Sequence, residues 1–142
     1  MLFLVFSIGD ESYALPAGDV VEVLPLTPLR NVHAAPQGMV GALHYRGGFI
    51  PVLDPCMLRL GRPAARRMST RLILVRLDRG GDDEALAALI AENATDTLRC
   101  EPEAFVPFVA AGVRGLVQRV EVDRLVPADL RRALVDAMAV PC

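Results

Sequence analysis

Gly41-Ala42-Leu43-His44-Tyr45-Arg46-Gly47-Gly48-Phe49-Ile50-Pro51-Val52-Leu53-Asp54 is the stretch whose reading decides the fold. Two short apolar arms flank a Gly-Gly pair, with a single arginine beside the bend. Gly47-Gly48 suits a two-residue hairpin loop, because glycine reaches positive φ without steric cost and the branched and aromatic residues on either side pair well in strands. Such a hairpin presents Arg46 at its tip, where a binding function is expected to begin. Pro51 in the second arm points to an edge position or a bulge, since proline donates nothing to a ladder.

Upstream of the hairpin, Met1 to Ile8 is an apolar run ended by Gly9-Asp10-Glu11. It lacks a charged leading region and a small-residue cleavage site, so it reads as a strand and not as a signal peptide. Tyr13-Ala14-Leu15, stopped by Pro16, is its return strand. Val20-Val21-Glu22-Val23-Leu24 is the next strand, and Pro25 and Pro28 hold the residues after it as an extended loop. Glu22 is the odd residue in that run: either a solvent-facing edge charge that discourages strand-to-strand aggregation, or a partner contact. His33 to Val40 is a linker with room for a turn of helix.

Downstream, Pro55 to Gly61 reads as a helical turn closed by glycine, and Arg62 to Ser69 as a basic, proline-punctuated, solvated connector. Arg71 to Leu77 restarts the β pattern, and Arg79-Gly80-Gly81-Asp82-Asp83 is a turn. Ala85 to Leu98 is ambiguous, because its alanines favour helix while its place between turns favours a strand that continues past Glu92-Asn93. Phe105 to Val109 and Gly115 to Val122 are two further apolar runs, the second alternating as a half-exposed strand does. The period then changes. Leu130, Leu134 and Met138 recur every fourth residue, with Ala133 and Ala137 beside them and Arg131, Arg132 and Asp136 opposite, which predicts an amphipathic helix over 128–139 packed on the β body. Asp129 in its first turn suits the helix dipole. About nine or ten short strands at close spacing signal small antiparallel barrels or a sandwich.

Composition narrows the function classes. A chain of 142 residues buries a sizeable core as one domain, or as two very small ones sharing a core. Net charge is -2 and the basic residues are scattered, so no nucleic-acid footprint or polybasic membrane patch is predicted. No run approaches the roughly 18 apolar residues of a membrane span. Cys56, Cys100 and Cys142 are odd in number without CxxC spacing, which suggests free thiols in a reducing compartment, the cytoplasm. Hydrophobic content of 53% and a mean hydropathy of +0.38 leave apolar surface for an interface.

For chemistry, the nearest approach to a catalytic set is Cys56 with His33 or His44 and Asp54, as nucleophile, base and orienter. Against it, cysteine is among the most often buried residue types, and neither histidine sits in a motif that would fix its geometry. The same four residues offer donors that zinc accepts, but at spacings that match no recurring ligand pattern. Neither a phosphate-binding glycine loop nor a phosphorelay signature is present. No metal and no cofactor is expected, and a binding module is favoured over an enzyme.

The organising stretch resembles the signature of the CheW-like domain family, whose members couple bacterial chemoreceptors to the histidine kinase CheA. There a strand of the type Val-x-Glu-Val/Ile precedes a glycine, two hydrophobic residues, Asn-Leu-Arg-Gly, and then a hydrophobic arm containing proline and ending in Asp-Leu. Here Val20-Val21-Glu22-Val23 precedes Gly41 to Pro55, and Tyr13 to Pro16 and Thr70 to Val75 also fit. The resemblance implies a mostly β fold of two small five-stranded, SH3-like barrels packed around a shared core, with the C-terminal helix added. It implies one CheW-like domain over 1–142, with barrels roughly at 14–66 and 67–122 plus the N-terminal strand. It further implies a non-catalytic scaffold, cytoplasmic and recruited to receptor arrays at the inner membrane, without nucleic-acid binding or membrane insertion. Val20 and Gly41 fall where the family contacts the kinase regulatory domain. Glu22, Val23 and Arg46 fall at the groove that receives the cytoplasmic hairpin tip of a receptor. His44-Tyr45 replaces the Asn-Leu before the arginine, so these two are specificity candidates, and Pro55 replaces the Leu after the aspartate. In the second half, Ala87 to Glu92 lacks the family's glycine and aspartate, and the late Leu-Asp survives only as Val122-Asp123. The rival reading is a small β-barrel that binds a ligand or peptide and has no link to chemotaxis.

Overall fold

The computed structural model describes residues 1–77, 85–105, 109–110 and 115–139. Nine strands form in the order β1 (Leu2–Ile8), β2 (Glu11–Pro16), β3 (Val20–Pro25), β4 (Met39–Tyr45), β5 (Gly48–Leu53), β6 (Arg71–Arg76), β7 (Leu86–Arg99), β8 (Val109–Ala110) and β9 (Leu116–Arg119). Among the described residues there are also three α-helices, α1 (Pro55–Leu60), α2 (Val122–Leu125) and α3 (Ala128–Ala139), and short 3-10 turns at Ala17–Asp19 and Pro102–Ala104. Among the described residues no helix is long and apolar enough to cross a membrane.

β7 resolves the ambiguity at 85–98 in favour of a strand. Ala87 to Ala91 are all at most 3% exposed, so both faces are covered, and small side chains there let neighbouring strands and core pack closely. Paired neighbours on either side satisfy its backbone, which outweighs the helix propensity of alanine. Its first half pairs with β6 (Arg71↔Ala91 to Arg76↔Leu86) and in parallel with β5 (Val52↔Ala88, Leu53↔Leu89). Its second half pairs with β1, from Ser7↔Glu92 to Leu2↔Arg99. The register with β1 shifts between Ser7↔Glu92 and Val5↔Asp96, and Asn93 within that interval adopts a positive φ of 52°. One group of five therefore runs β4-β5-β7-β6-β3 and the other β7-β1-β2-β9-β8, with β7 common to both. The element common to both groups is this strand.

β1 separates two cores. Leu4, Phe6 and Ile8 enter the large cluster with Leu15, Leu53, Leu72, Leu74 and Leu89, while Phe3 and Val5 enter a smaller one with Ala14 and Val117. The alternation of a strand puts successive side chains on opposite faces, and both faces of β1 are buried. Phe105 closes the smaller cluster edge-on against Phe3, ring centroids 4.9 Å apart.

At the β7 crossing sits Glu92, buried at 8% exposure. Its Oε2 accepts from the Ala65 N–H at 2.9 Å, and its Oε1 accepts from the Gly9 N–H at 3.3 Å and the Cys56 thiol at 3.2 Å. Arg62 stands 3.8 Å from the same oxygen. Burial pushes this carboxyl upward, but the Ala65, Cys56 and Gly9 donors and the Arg62 charge outweigh it and hold it below the ordinary carboxylate value.

Several sequence expectations need correction. The linker at 33–40 holds turns and no helix before β4 begins at Met39. The strand expected over Gly115 to Val122 ends at Arg119, because Val122 and Leu125 go into the core as one helical turn, a spacing of three that suits helix and not strand. Ala133 is exposed, so the buried stripe of α3 runs through Leu130 and Leu134. The turn at 79–83, Cys142 and most of the Phe105 to Val109 run lie outside the described residues.

Replacing Glu92 with Ala strands two backbone donors and a thiol and is expected to cost about 2–4 kcal/mol in denaturant unfolding. Because the folded carboxyl is held below its unfolded value of about 4.3, its contribution is complete above that pH and is lost as pH falls through the folded value. Glu92→Gln should flatten this part of the acid limb, and an unchanged acid limb would refute the assignment.

Candidate functional site

In the β4-β5-β7-β6-β3 group, β3 and β4 are the two edges, and the sheet curls until they meet. Side chains close the gap. The Tyr45 hydroxyl at the end of β4 donates to Glu22 Oε2 on β3 at 2.5 Å, and the Arg46 guanidinium lies 3.7 Å from the same oxygen. The Arg46 Cζ also sits 5.0 Å from the centre of the Tyr45 ring. The Leu29–Arg30 backbone adds a bridge, with Arg30 N–H donating to Ala42 C=O and Ala42 N–H to Arg30 C=O, each 2.9 Å. Ala42 thus spends its backbone groups on Arg30, so its pairing with Pro51 across the hairpin is of the non-hydrogen-bonded kind. The missing N–H of Pro51 removes nothing from the β4–β5 ladder.

The hairpin bends one residue earlier than the Gly-Gly pair suggests. Tyr45 pairs with Gly48, leaving Arg46-Gly47 as the two central residues. Their φ values are 49° and 84°, the positive pair that matches the right-handed twist of the flanking strands. Register decides this, because the alternative bend would turn Tyr45 away from Glu22. Arg46 accordingly holds a left-handed conformation uncommon for its type, which costs of order 1 kcal/mol. In return the tip is short and its guanidinium is 76% exposed. The pairing with Glu22 at that exposure contributes little to stability, so the arginine's donors are available to a partner.

The Tyr45 phenol is raised above its ordinary value, first by its hydrogen bond to Glu22 and next by burial, with the Arg46 charge opposing. It remains a neutral donor, which keeps Glu22 oriented. Val23 follows Glu22 along β3 and is 39% exposed. Val20, at the start of β3, is half-buried, and His44 is exposed with its ring 5.0 Å from that of Phe49. Gly41 is buried, and a Cβ added there would lie 2.9 Å from the Arg30 carbonyl oxygen, so glycine permits the close approach of the 29–30 segment. The cluster therefore assembles Glu22, Tyr45 and Arg46, while Gly41 serves the loop contact elsewhere on the hairpin.

The cysteine constellation does not assemble. Asp54 is the N-cap of α1: its Oδ1 accepts from the Cys56 and Met57 N–H groups at 3.0 and 3.3 Å, and its Oδ2 from Ala64 N–H at 2.9 Å. The Cys56 thiol is buried on Glu92 and is pushed up to about 12, by burial first and by that hydrogen bond second. A thiol so protonated is no nucleophile. His33 and His44 are both exposed, away from this buried pair's bonding. Among the described residues no group of three or more His, Cys, Asp and Glu is placed to hold a metal. The node missed by sequence reasoning is Glu92, whose one signal was a lone acid ending the apolar run Ala87 to Ala91.

The family model for the CheW-like domain matches residues 2–126, a span that includes both strand groups and the hairpin cluster. The chain belongs to the CheW-like domain family. A chemotaxis protein CheW of Helicobacter pylori is 26% identical over 98 residues, 68% of this chain and 56% of that protein. A probable chemotaxis protein CheW of Rhizobium etli is 26% identical over 104 residues, 73% of this chain and 64% of that protein. The chain thus spans rather less than two thirds of the length of these relatives. The scaffolding protein TtCheW of Thermoanaerobacter tengcongensis has the same fold, with a TM-score of 0.71 at 21% identity, covering 90% of this chain and 88% of that one. The CheW-like fold of two five-stranded SH3-like barrels accounts for the two strand groups joined by β7.

Two measurements check the site. Spectrophotometric titration of the two tyrosines should show one phenol above the usual value of about 10, and Glu22→Ala should bring it down towards that value; an unmoved titration would refute the Tyr45–Glu22 bond. Cys56 should resist iodoacetamide at neutral pH in the folded protein and react on unfolding, whereas selective alkylation of the native protein would revive a reactive thiol.

Proposed function

We propose that this protein is a non-catalytic adaptor that couples chemoreceptors of the methyl-accepting type to a CheA-type histidine kinase, in chemotaxis or in a chemosensory pathway with another output. The observation that carries the reading is the Glu22–Tyr45–Arg46 cluster, a charged edge with Arg46 exposed and Glu22 and Tyr45 half-buried, inside the span that the family model matches. The names of the relatives, chemotaxis proteins and a scaffolding protein, support it. In this reading one CheW-like domain works in the cytoplasm, recruited to receptor arrays at the inner membrane. The receptor hairpin tip docks on Glu22, Val23 and Arg46, with apolar area from the valine and bidentate bonding from the arginine. The kinase regulatory domain docks where Val20 and Gly41 lie, Gly41 acting through the loop backbone it admits. His44 and Tyr45 set which receptor fits, Tyr45 by fixing the direction of the Glu22 carboxylate.

The test is co-purification with the CheA-type kinase of its own host and stimulation of kinase autophosphorylation in the presence of receptor fragments; failure of both overturns the proposal. Arg46→Asn places a residue that favours positive φ at the turn, so it should leave the unfolding midpoint unchanged or slightly higher while weakening receptor binding by about tenfold or more. Equal receptor affinity in that variant would remove Arg46 from the site.

A further inference from the structure

We infer that the apolar cavity on the β4–β5 hairpin is a docking site for a protein segment that presents one large apolar side chain flanked by carboxylates. The cavity measures about 310 Å³, at the bottom of the range of about 300–1,000 Å³ for ligand pockets. That volume suits a single anchoring side chain better than a whole cofactor. It lies between the 32–36 loop, Ala42 and Phe49 of the hairpin and Leu134 of α3, and every residue that lines it is apolar. Two walls are unusually bare: Phe49 is 56% exposed and Val32 is 40% exposed. Exposed aromatic area beside a concave apolar floor is what a binding anchor requires.

The charge around it selects the partner. From Val23 to Leu53 the chain contains no aspartate or glutamate, although the whole chain carries 17 acidic residues and a net charge of -2. The same stretch holds Arg30, Arg46 and both histidines of the protein. Three of these border the cavity: Arg30 is bonded through its backbone to the lining residue Ala42, His33 lies between the lining residues Val32 and Ala34, and the His44 ring packs on Phe49. Nine of the ten lining residues come from this carboxylate-free stretch, the tenth being Leu134 of α3. Such a wall, with Arg30 exposed beside an apolar floor, attracts a segment whose anchor is flanked by carboxylates, and it speeds encounter while disfavouring basic partners. A lipid surface fits less well, because anionic membranes are held by clusters of about 4–8 basic residues, whereas this rim has Arg30 and two histidines. The inference does not rest on the adaptor reading, although His44 and the Arg30 loop serve both: it is read by peptide binding alone, with neither kinase nor receptor present.

The protein contains no tryptophan, so a short peptide with a central tryptophan reports its own burial by fluorescence. With glutamates on both sides of the tryptophan, the peptide should bind saturably with blue-shifted emission, and about tenfold or more tighter than the same peptide with lysines. Raising ionic strength to about 0.5 M should narrow that gap, because screening shortens the reach of the rim charges. Arg30→Glu should reverse the preference, and Phe49→Ala and Val32→Ser should each abolish binding with an unchanged thermal midpoint. Met68→Ser, which removes a side chain that is 94% exposed, should change nothing. Equal affinity for the two peptides, loss of binding in Met68→Ser, or capture of phosphatidylserine vesicles in place of either peptide would overturn the inference.

Discussion

The rest of the structure depends on one buried carboxylate at the point where β7 passes from one strand group to the other. A fourteen-residue strand passes here from one sheet to the other, and the Gly9 turn and the Ala65 connector bring backbone donors to the crossing that belong to neither ladder. Glu92 answers those donors, collecting the Gly9 turn, the Ala65 connector and the Cys56 thiol on its two oxygens, with Arg62 offsetting its charge. A buried charge is tolerated only when so completely bonded. Burial first, and the hydrogen bond to the same carboxylate second, keep the proton on the Cys56 sulfur and leave the thiol inert.

The second constraint is the closure of the curled β4-β5-β7-β6-β3 sheet. Edge strands left bare invite pairing with other chains, and here β3 and β4 are tied to each other by Tyr45, Glu22 and the Arg30–Ala42 bridge. Tyr45 occupies a position where the family pattern carries leucine, so in this chain the seam between the edges is polar. The strained backbone of Arg46 belongs to this seam, since a two-residue bend is what aligns Tyr45 with Glu22. Closure thus draws on the same three side chains that the proposed docking edge uses, so a change in any of them alters the local geometry of the barrel.

Much of this was legible in local sequence. The hairpin, the helical turn from Pro55 with its closing Gly61, and α3 over Ala128–Ala139 follow from turn chemistry, capping and a period near four. The exposed arginine at the hairpin tip was legible as well. Less visible were the exact bend at Arg46-Gly47 and the fate of Val122 to Leu125, where a short apolar run fits strand or helix equally until the core claims its side chains.

The sequence by itself determined a β-rich chain with a tight hairpin carrying one arginine beside its bend and with a C-terminal helix, because those features rest on neighbours within a few residues. Only the tertiary structure decided that Leu86–Arg99 is a strand shared by two barrels and that Glu92 is the junction. Glu92 depends on partners 27 to 83 residues away, and β7 on strands from the first half of the chain. Local propensity is worth tenths of a kcal/mol per residue, whereas a buried backbone donor left unpaired costs about 1–3 kcal/mol, so the distant bonds prevail.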